Sequence, residues 1–175
     1  MYTGHVRERG HPPGLARDGV QEMTWVEDGV YAAGGDHIPQ TWAAFAEQTG
    51  ISAVLHLAHP APSTFNGPPP ARFLWLDLEH EQEAGEQVRR LAGEFVRDSR
   101  AAGRSVLLHC SHGRHRTRWA YVAYRLCLGH GLKGVLRDAA QKPWLAPYHT
   151  DREAWAAFRS FLKQAAEHPP GGAGP

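Results

Sequence analysis

A thiol and a guanidinium stand six positions apart in Val106-Leu107-Leu108-His109-Cys110-Ser111-His112-Gly113-Arg114-His115-Arg116-Thr117. An apolar run leads into Cys110, and a helical pattern follows Thr117. Strand, tight loop and helix N-terminus together aim backbone N–H groups at an anion. A cysteine at the start of such a cradle and an arginine at its end make it a place for phosphoryl transfer. The thiolate is the nucleophile, and a helix N-terminus with nearby cations favours it. Arg116 is suited to gripping phosphoryl oxygens with its planar fork, which a lysine would not do. The transition state spreads charge over those oxygens, and fixed N–H donors plus a guanidinium stabilise it. Ser111, His112, Gly113, Arg114 and His115 are the expected phosphate-binding residues, and Gly113 permits close backbone approach. The Thr117 hydroxyl is suited to hydrogen-bonding the sulfur and easing its departure. The chemistry is then two half-reactions through a cysteinyl-phosphate, with water completing the second.

The surrounding elements must hold that loop. Trp25-Val26-Glu27 and Val30-Tyr31-Ala32-Ala33 flank Asp28-Gly29, a hairpin signal. Pro39 suits a first helical turn, Trp42, Phe45, Ala46 and Thr49 share one helical face, and Gly50 ends that helix. Residues 51–57 read as a buried strand, 59–71 as a long Pro-rich loop, and 73–78 as the next strand. Val88, Leu91, Ala92, Phe95 and Val96 follow helical spacing up to Gly103, and residues 105–109 form the central strand. Trp119, Val122, Ala123, Leu126 and Cys127 give a second amphipathic helix. Residues 132–140 give a third, stopped by Pro143, and Thr150-Asp151-Arg152-Glu153 reads as the capping box of a fourth. Strands alternating with helices predict an α/β fold, a mostly parallel central sheet flanked by helices. In such sheets the ligand sits at the carboxyl ends of the strands, where Cys110 falls.

A chain of 175 residues with 42% hydrophobic content fits one domain with one core. Residues 1–20 are expected to form a mobile arm, 21–167 the domain, and 168–175 a disordered tail. A net charge of +1 shows no field of one sign that would mark a nucleic-acid or membrane surface. The two cysteines make neither a disulfide framework nor a zinc set, so a reducing cytoplasm is the expected setting. No apolar stretch has the length of a membrane span or a signal peptide. His109, His112 and His115 recur every third residue but across a loop, so neither metal nor other cofactor is expected. Cys127 is expected in the core. Arg89, Arg90 and Arg97 are expected on a solvated helix face. The six tryptophans read as core, with Trp144 the one that could border the pocket.

The central stretch resembles the His-Cys-x5-Arg-[Ser/Thr] signature of the cysteine-dependent phosphatases. From about Trp25 to Leu162 the chain resembles their small dual-specificity branch. Gly29-Val30-Tyr31 with Gly34-Gly35 is similar to its first hairpin. The stretch from Gly50-Ile51 to Ala58 is similar to its buried "val-leu-asn-leu" strand, and Lys142-Pro143-Trp144-Leu145-Ala146-Pro147 to its "Arg-Pro-x-Ile-x-Pro" element. The resemblance implies a phosphatase acting on phosphotyrosine and phosphoserine or phosphothreonine, with Cys110, Arg116 and Thr117 in the catalytic roles. It implies a phosphorylated substrate as partner, either a phosphoprotein or a small molecule. Its length implies a shallow, permissive pocket.

The chain also departs from the family. Arg118 stands where Gly is usual, and Tyr148 where Asn often follows the late proline. The family's general acid is an Asp after the strand that precedes the long helix. Here that region reads Leu76-Asp77-Leu78-Glu79-His80-Glu81, with His80 in the aspartate slot. Asp77 is taken as the acid, and Glu79, His80 and Glu81 remain chemically competent. The loop with His112 also resembles that of RNA 5′-triphosphatases, whose anhydride leaving group needs protonation less. A third branch acts on inositol phosphates and phosphoinositides with extra loop cations, a part open to His112, Arg114 and His115. A phosphate-binding module without catalysis is the non-enzyme alternative.

Overall fold

The computed structural model describes residues 5–7, 22–34, 42–58, 68–142 and 152–169. Six strands and five helices follow in chain order among them: β1 (His5–Arg7), β2 (Glu22–Glu27), β3 (Val30–Gly34), α1 (Trp42–Thr49), β4 (Ile51–His56), β5 (Arg72–Trp75), α2 (Glu86–Ala101), β6 (Ser105–Cys110), α3 (His115–Cys127), α4 (Leu132–Ala140) and α5 (Arg152–Glu167). A 3-10 turn, Glu81–Glu83, precedes α2. The sheet order is β1-β2-β3-β6-β4-β5. Every pairing is parallel except β2 with β3, the hairpin closed at Asp28-Gly29 with Gly29 at φ +75°.

Period-two alternation sorts the strands between two apolar layers. On β6, Val106, Leu108 and Cys110 face the larger layer, whose helical side comes from α2, α3, α4 and α5. Leu107 faces the smaller one, with Trp42 and Phe45 of α1 and Met23, Ile51 and Val54. β4 keeps both faces apolar through an irregularity between Ile51 and Ala53, which puts Ile51 and Val54 on one side and Ala53 and Leu55 on the other. Burial on both faces is what a sheet sandwiched by helices requires. It leaves only the strand ends for polar chemistry.

Several expectations need correction. The strand expected over 73–78 ends at Trp75; the Leu76 N–H still donates to the His56 carbonyl at 2.9 Å, and the Leu78 carbonyl is taken by Arg116. Within the expected N-terminal arm, His5–Arg7 pairs with β2 as an edge strand. Arg89 is not solvated: it is 2% exposed, its Nε donates to the Ala84 carbonyl at 3.0 Å, and its guanidinium lies 4.2 Å from the Trp155 ring centroid. Helical geometry explains this, since Ala92, Gly93 and Val96 follow it at i+3, i+4 and i+7 on the buried stripe. Trp75, expected in the core, is exposed. Most of the long loop, the late proline element and the first residues of the expected capping box lie outside the described residues, as does Trp144.

Candidate active site

β3, β6 and β4 run in parallel and end together at Gly34, Cys110 and His56. The loop after Cys110 turns over these ends into α3. Gly113, at φ +69°, makes the turn. A Cβ there would come within 2.7 Å of the Ala33 backbone, and one on Gly34 within 2.5 Å of the His112 backbone. Two glycines are therefore required face to face, and they let the loop sit on the end of β3.

This packing curls the loop around the sulfur. The Gly113 N–H donates to Cys110 Sγ at 3.1 Å, and the N-terminus of α3 begins just beyond, at His115. Cys110 itself is buried. Arg116 closes the ring: its Nη1 donates to the Leu57 carbonyl at 3.0 Å and the Leu78 carbonyl at 2.7 Å, and its Nη2 to Ser111 Oγ at 3.3 Å. One guanidinium thus ties together the end of β4, the segment after β5 and the loop. A lysine has no fork with which to bridge them.

The candidate acids lie on that tied segment. Leu78 is buried and its carbonyl is held by Arg116, while Asp77 and Glu79 flank it and are exposed. His80 is exposed as well, and Glu81 is half-buried in the 3-10 turn. The structure thus brings Cys110, Ser111, Gly113, Arg116 and the backbone beside Asp77 together. Arg114 and His112 are exposed on the loop, and His115 is half-buried at the first position of α3. Thr117 is fully buried, and its hydroxyl has no hydrogen-bond partner among the described residues.

One residue of the site escaped the sequence reading. His56, on β4, lies beside His109 on β6, with the two Nδ1 atoms 3.0 Å apart and both rings buried. One Nδ1 must carry the proton and the other must accept it. Burial, and then the nearby Arg116 charge, lower His56 to about 4, so it is neutral at neutral pH. His109 immediately precedes Cys110, so the pair lies at the base of the loop in sequence. Its signal is the parallel register that sets His56 opposite His109, which no local pattern reveals.

This fold is that of the dual-specificity phosphatases. The chain superimposes on PTPMT1 in complex with PI(5)P with a TM-score of 0.65 and 13% identity, over 81% of this chain and 96% of that one. DUSP15 gives a TM-score of 0.60 at 20% identity, over 87% and 98%. The human tyrosine phosphatase-like serine/threonine/tyrosine-interacting protein gives 0.60 at 15%, over 83% and 98%. No family model and no curated protein matches the sequence. Among the described residues no helix is long and apolar enough to cross a membrane.

Proposed function

We propose that the protein is a cysteine-dependent phosphatase that hydrolyses phosphate monoesters through a cysteinyl-phosphate. The observation that carries this reading is the ring of Gly113 N–H, Cys110 Sγ and the tethered Arg116 at the mouth of three parallel strands. In the first step the Cys110 sulfur attacks phosphorus, and the S–P bond forms as the bond to the leaving oxygen breaks. The loop amides and Arg116 hold the equatorial oxygens. The leaving oxygen takes a proton from Asp77, on the segment that Arg116 anchors through Leu78. Water, giving a proton to the Asp77 carboxylate, then attacks phosphorus, the S–P bond breaks with the electrons returning to sulfur, and inorganic phosphate leaves. The buried Thr117 hydroxyl serves the departing sulfur.

Hydrolysis of an aryl phosphate by the intact protein, with inhibition by vanadate, is the expected result. Absence of both would sink the enzyme reading and leave a phosphate-binding module. Asp77→Asn is expected to slow hydrolysis of alkyl and phenyl phosphates about 100-fold, within the usual reach of general acid catalysis, while sparing esters with good leaving groups. An unchanged rate on the poor leaving groups would move the role to Glu79, His80 or Glu81.

A second reading has its own support. His112 and Arg114 stand exposed on the loop, and PTPMT1 shares the fold in a complex with PI(5)P. Extra cations at the rim suit a substrate with more than one phosphate. Comparing phosphopeptides, phosphoinositides and 5′-triphosphorylated RNA at equal concentration separates the substrate classes.

A further inference from the structure

α3 carries the phosphate loop at its N-terminus and ends, 13 residues or about 20 Å later, at a second recess. A cavity of about 380 Å³ opens there between α2, the end of α3 and α5. That volume lies in the range of small-molecule sites. Its floor is apolar, formed by Leu126, Leu162 and the Cys127 side chain. Its rim is not: Arg90 and Arg97 enter from α2, Arg159 and Lys163 from α5.

One carboxylate, Glu94, is set among these four cations. It accepts from Arg90 at 2.9 Å and lies 3.5 Å from Arg97. Arg97 also pairs with Asp98 at 2.8 Å. The two α5 cations have no carboxylate within ion-pair distance among the described residues, and they share a face as an i, i+4 pair. With Glu94 and Asp98 set against the four cations, +2 remains, and it is carried by Arg159 and Lys163. Like charges at i, i+4 repel, so convergence of this kind around an apolar hollow invites a compensating anion.

The thiol in the floor adds no reactivity. Burial, and then Glu94, push Cys127 up to about 11, so it is protonated at neutral pH and acts as an apolar surface. Redox or metal chemistry is not what this recess is built for.

We propose that the recess between α2 and α5 is a second binding site, separate from the phosphate loop, for a small amphiphile with an anionic head and a short apolar body. The head sits between Arg159 and Lys163 and the body lies on Leu126, Cys127 and Leu162. The site does not depend on the loop, so it stands whether or not the protein hydrolyses phosphate esters.

The test is an amide NMR titration of the full chain carrying Cys110→Ser, with octanoate, octyl phosphate and octyltrimethylammonium as probes. Saturable shifts at Gly129, His130 and Lys163 are expected with the two anions and not with the cation. The double change Arg159→Glu with Lys163→Glu, on surface positions of α5, is expected to weaken that binding at least tenfold with the spectrum otherwise intact. Shifts confined to residues 111–117, equal response to the cation, or unchanged affinity in the double variant would overturn the proposal. Should charge reversal on α5 disturb the fold, Arg159→Gln with Lys163→Gln gives the same reading with a smaller loss.

Discussion

The two cysteines sit at opposite ends of one helix, α3, and each has arginines close by in sequence or space. Cys110, before its N-terminus, is 2% exposed; Cys127, at its C-terminus, is only half-buried. Burial therefore does not single out the sulfur proposed as nucleophile. What differs is the backbone. The Cys110 sulfur accepts from the Gly113 N–H and lies at the N-terminal, positive end of the helix. Cys127 meets the opposite end of the same dipole, and desolvation outweighs its arginines. The two sulfurs are thus told apart by the backbone they face and not by burial.

The largest effect should come from the sulfurs themselves. Cys110→Ser is expected to lower aryl phosphate turnover by more than about 1,000-fold, and Cys127→Ser by less than about threefold. Comparable losses in both, measured by steady-state kinetics, would break the contrast. Next come the glycines that let backbone approach at either end. Gly113→Ala combines a positive φ with a 2.7 Å encounter with the Ala33 backbone, and about 4 kcal/mol of destabilisation is expected. Gly93→Ala would press against Cys127 Sγ at 2.5 Å and the Ala123 carbonyl at 2.6 Å, for about 3 kcal/mol. Chemical denaturation measures both. Only the first should also depress kcat/KM in the protein that remains folded.

The smallest effect sharpens the loop end further. His56 near 4 in the folded protein, against about 6.5 in the unfolded chain, means that the unfolded chain takes up the proton first. Its contribution to stability is thus complete above about pH 6.5 and is lost as pH falls toward 4. Between pH 7 and pH 5 the loss attributable to His56 is about 2 kcal/mol. His56→Asn, which keeps a hydrogen-bonding partner for His109, should remove that share of the pH dependence. An identical slope in the variant, followed by urea denaturation at each pH, would assign it elsewhere.

Much of this was legible in the residues. The hairpin at Asp28-Gly29, the strand into Cys110 and the helix after it carry local signals, namely turn chemistry and apolar period, and they appear where those signals put them. Other features depend on partners far away in sequence. The segment after β5 is held by Arg116, 38 residues distant, through the Leu78 carbonyl. Arg89 leaves the solvent because Trp119 and Trp155 offer aromatic faces, 5.8 and 4.2 Å from its guanidinium. The His56–His109 contact needs the register of two strands 53 residues apart. The acid stays open among Asp77, Glu79, His80 and Glu81 for a related reason: the first two flank the anchored Leu78 carbonyl alike, and both are exposed.

Arg116 is held by protein carbonyls at the ends of two separate chain segments. The conformational entropy of aiming a long, rotamer-rich side chain is therefore lost at folding, not at binding. An oxyanion meets a ready fork, and its affinity is not diminished by an ordering step. The converse follows by linkage: any oxyanion held in the loop stabilises the native state as a whole. The proposed phosphate site is in this sense a keystone, and the molecule's melting temperature is expected to rise with its occupant.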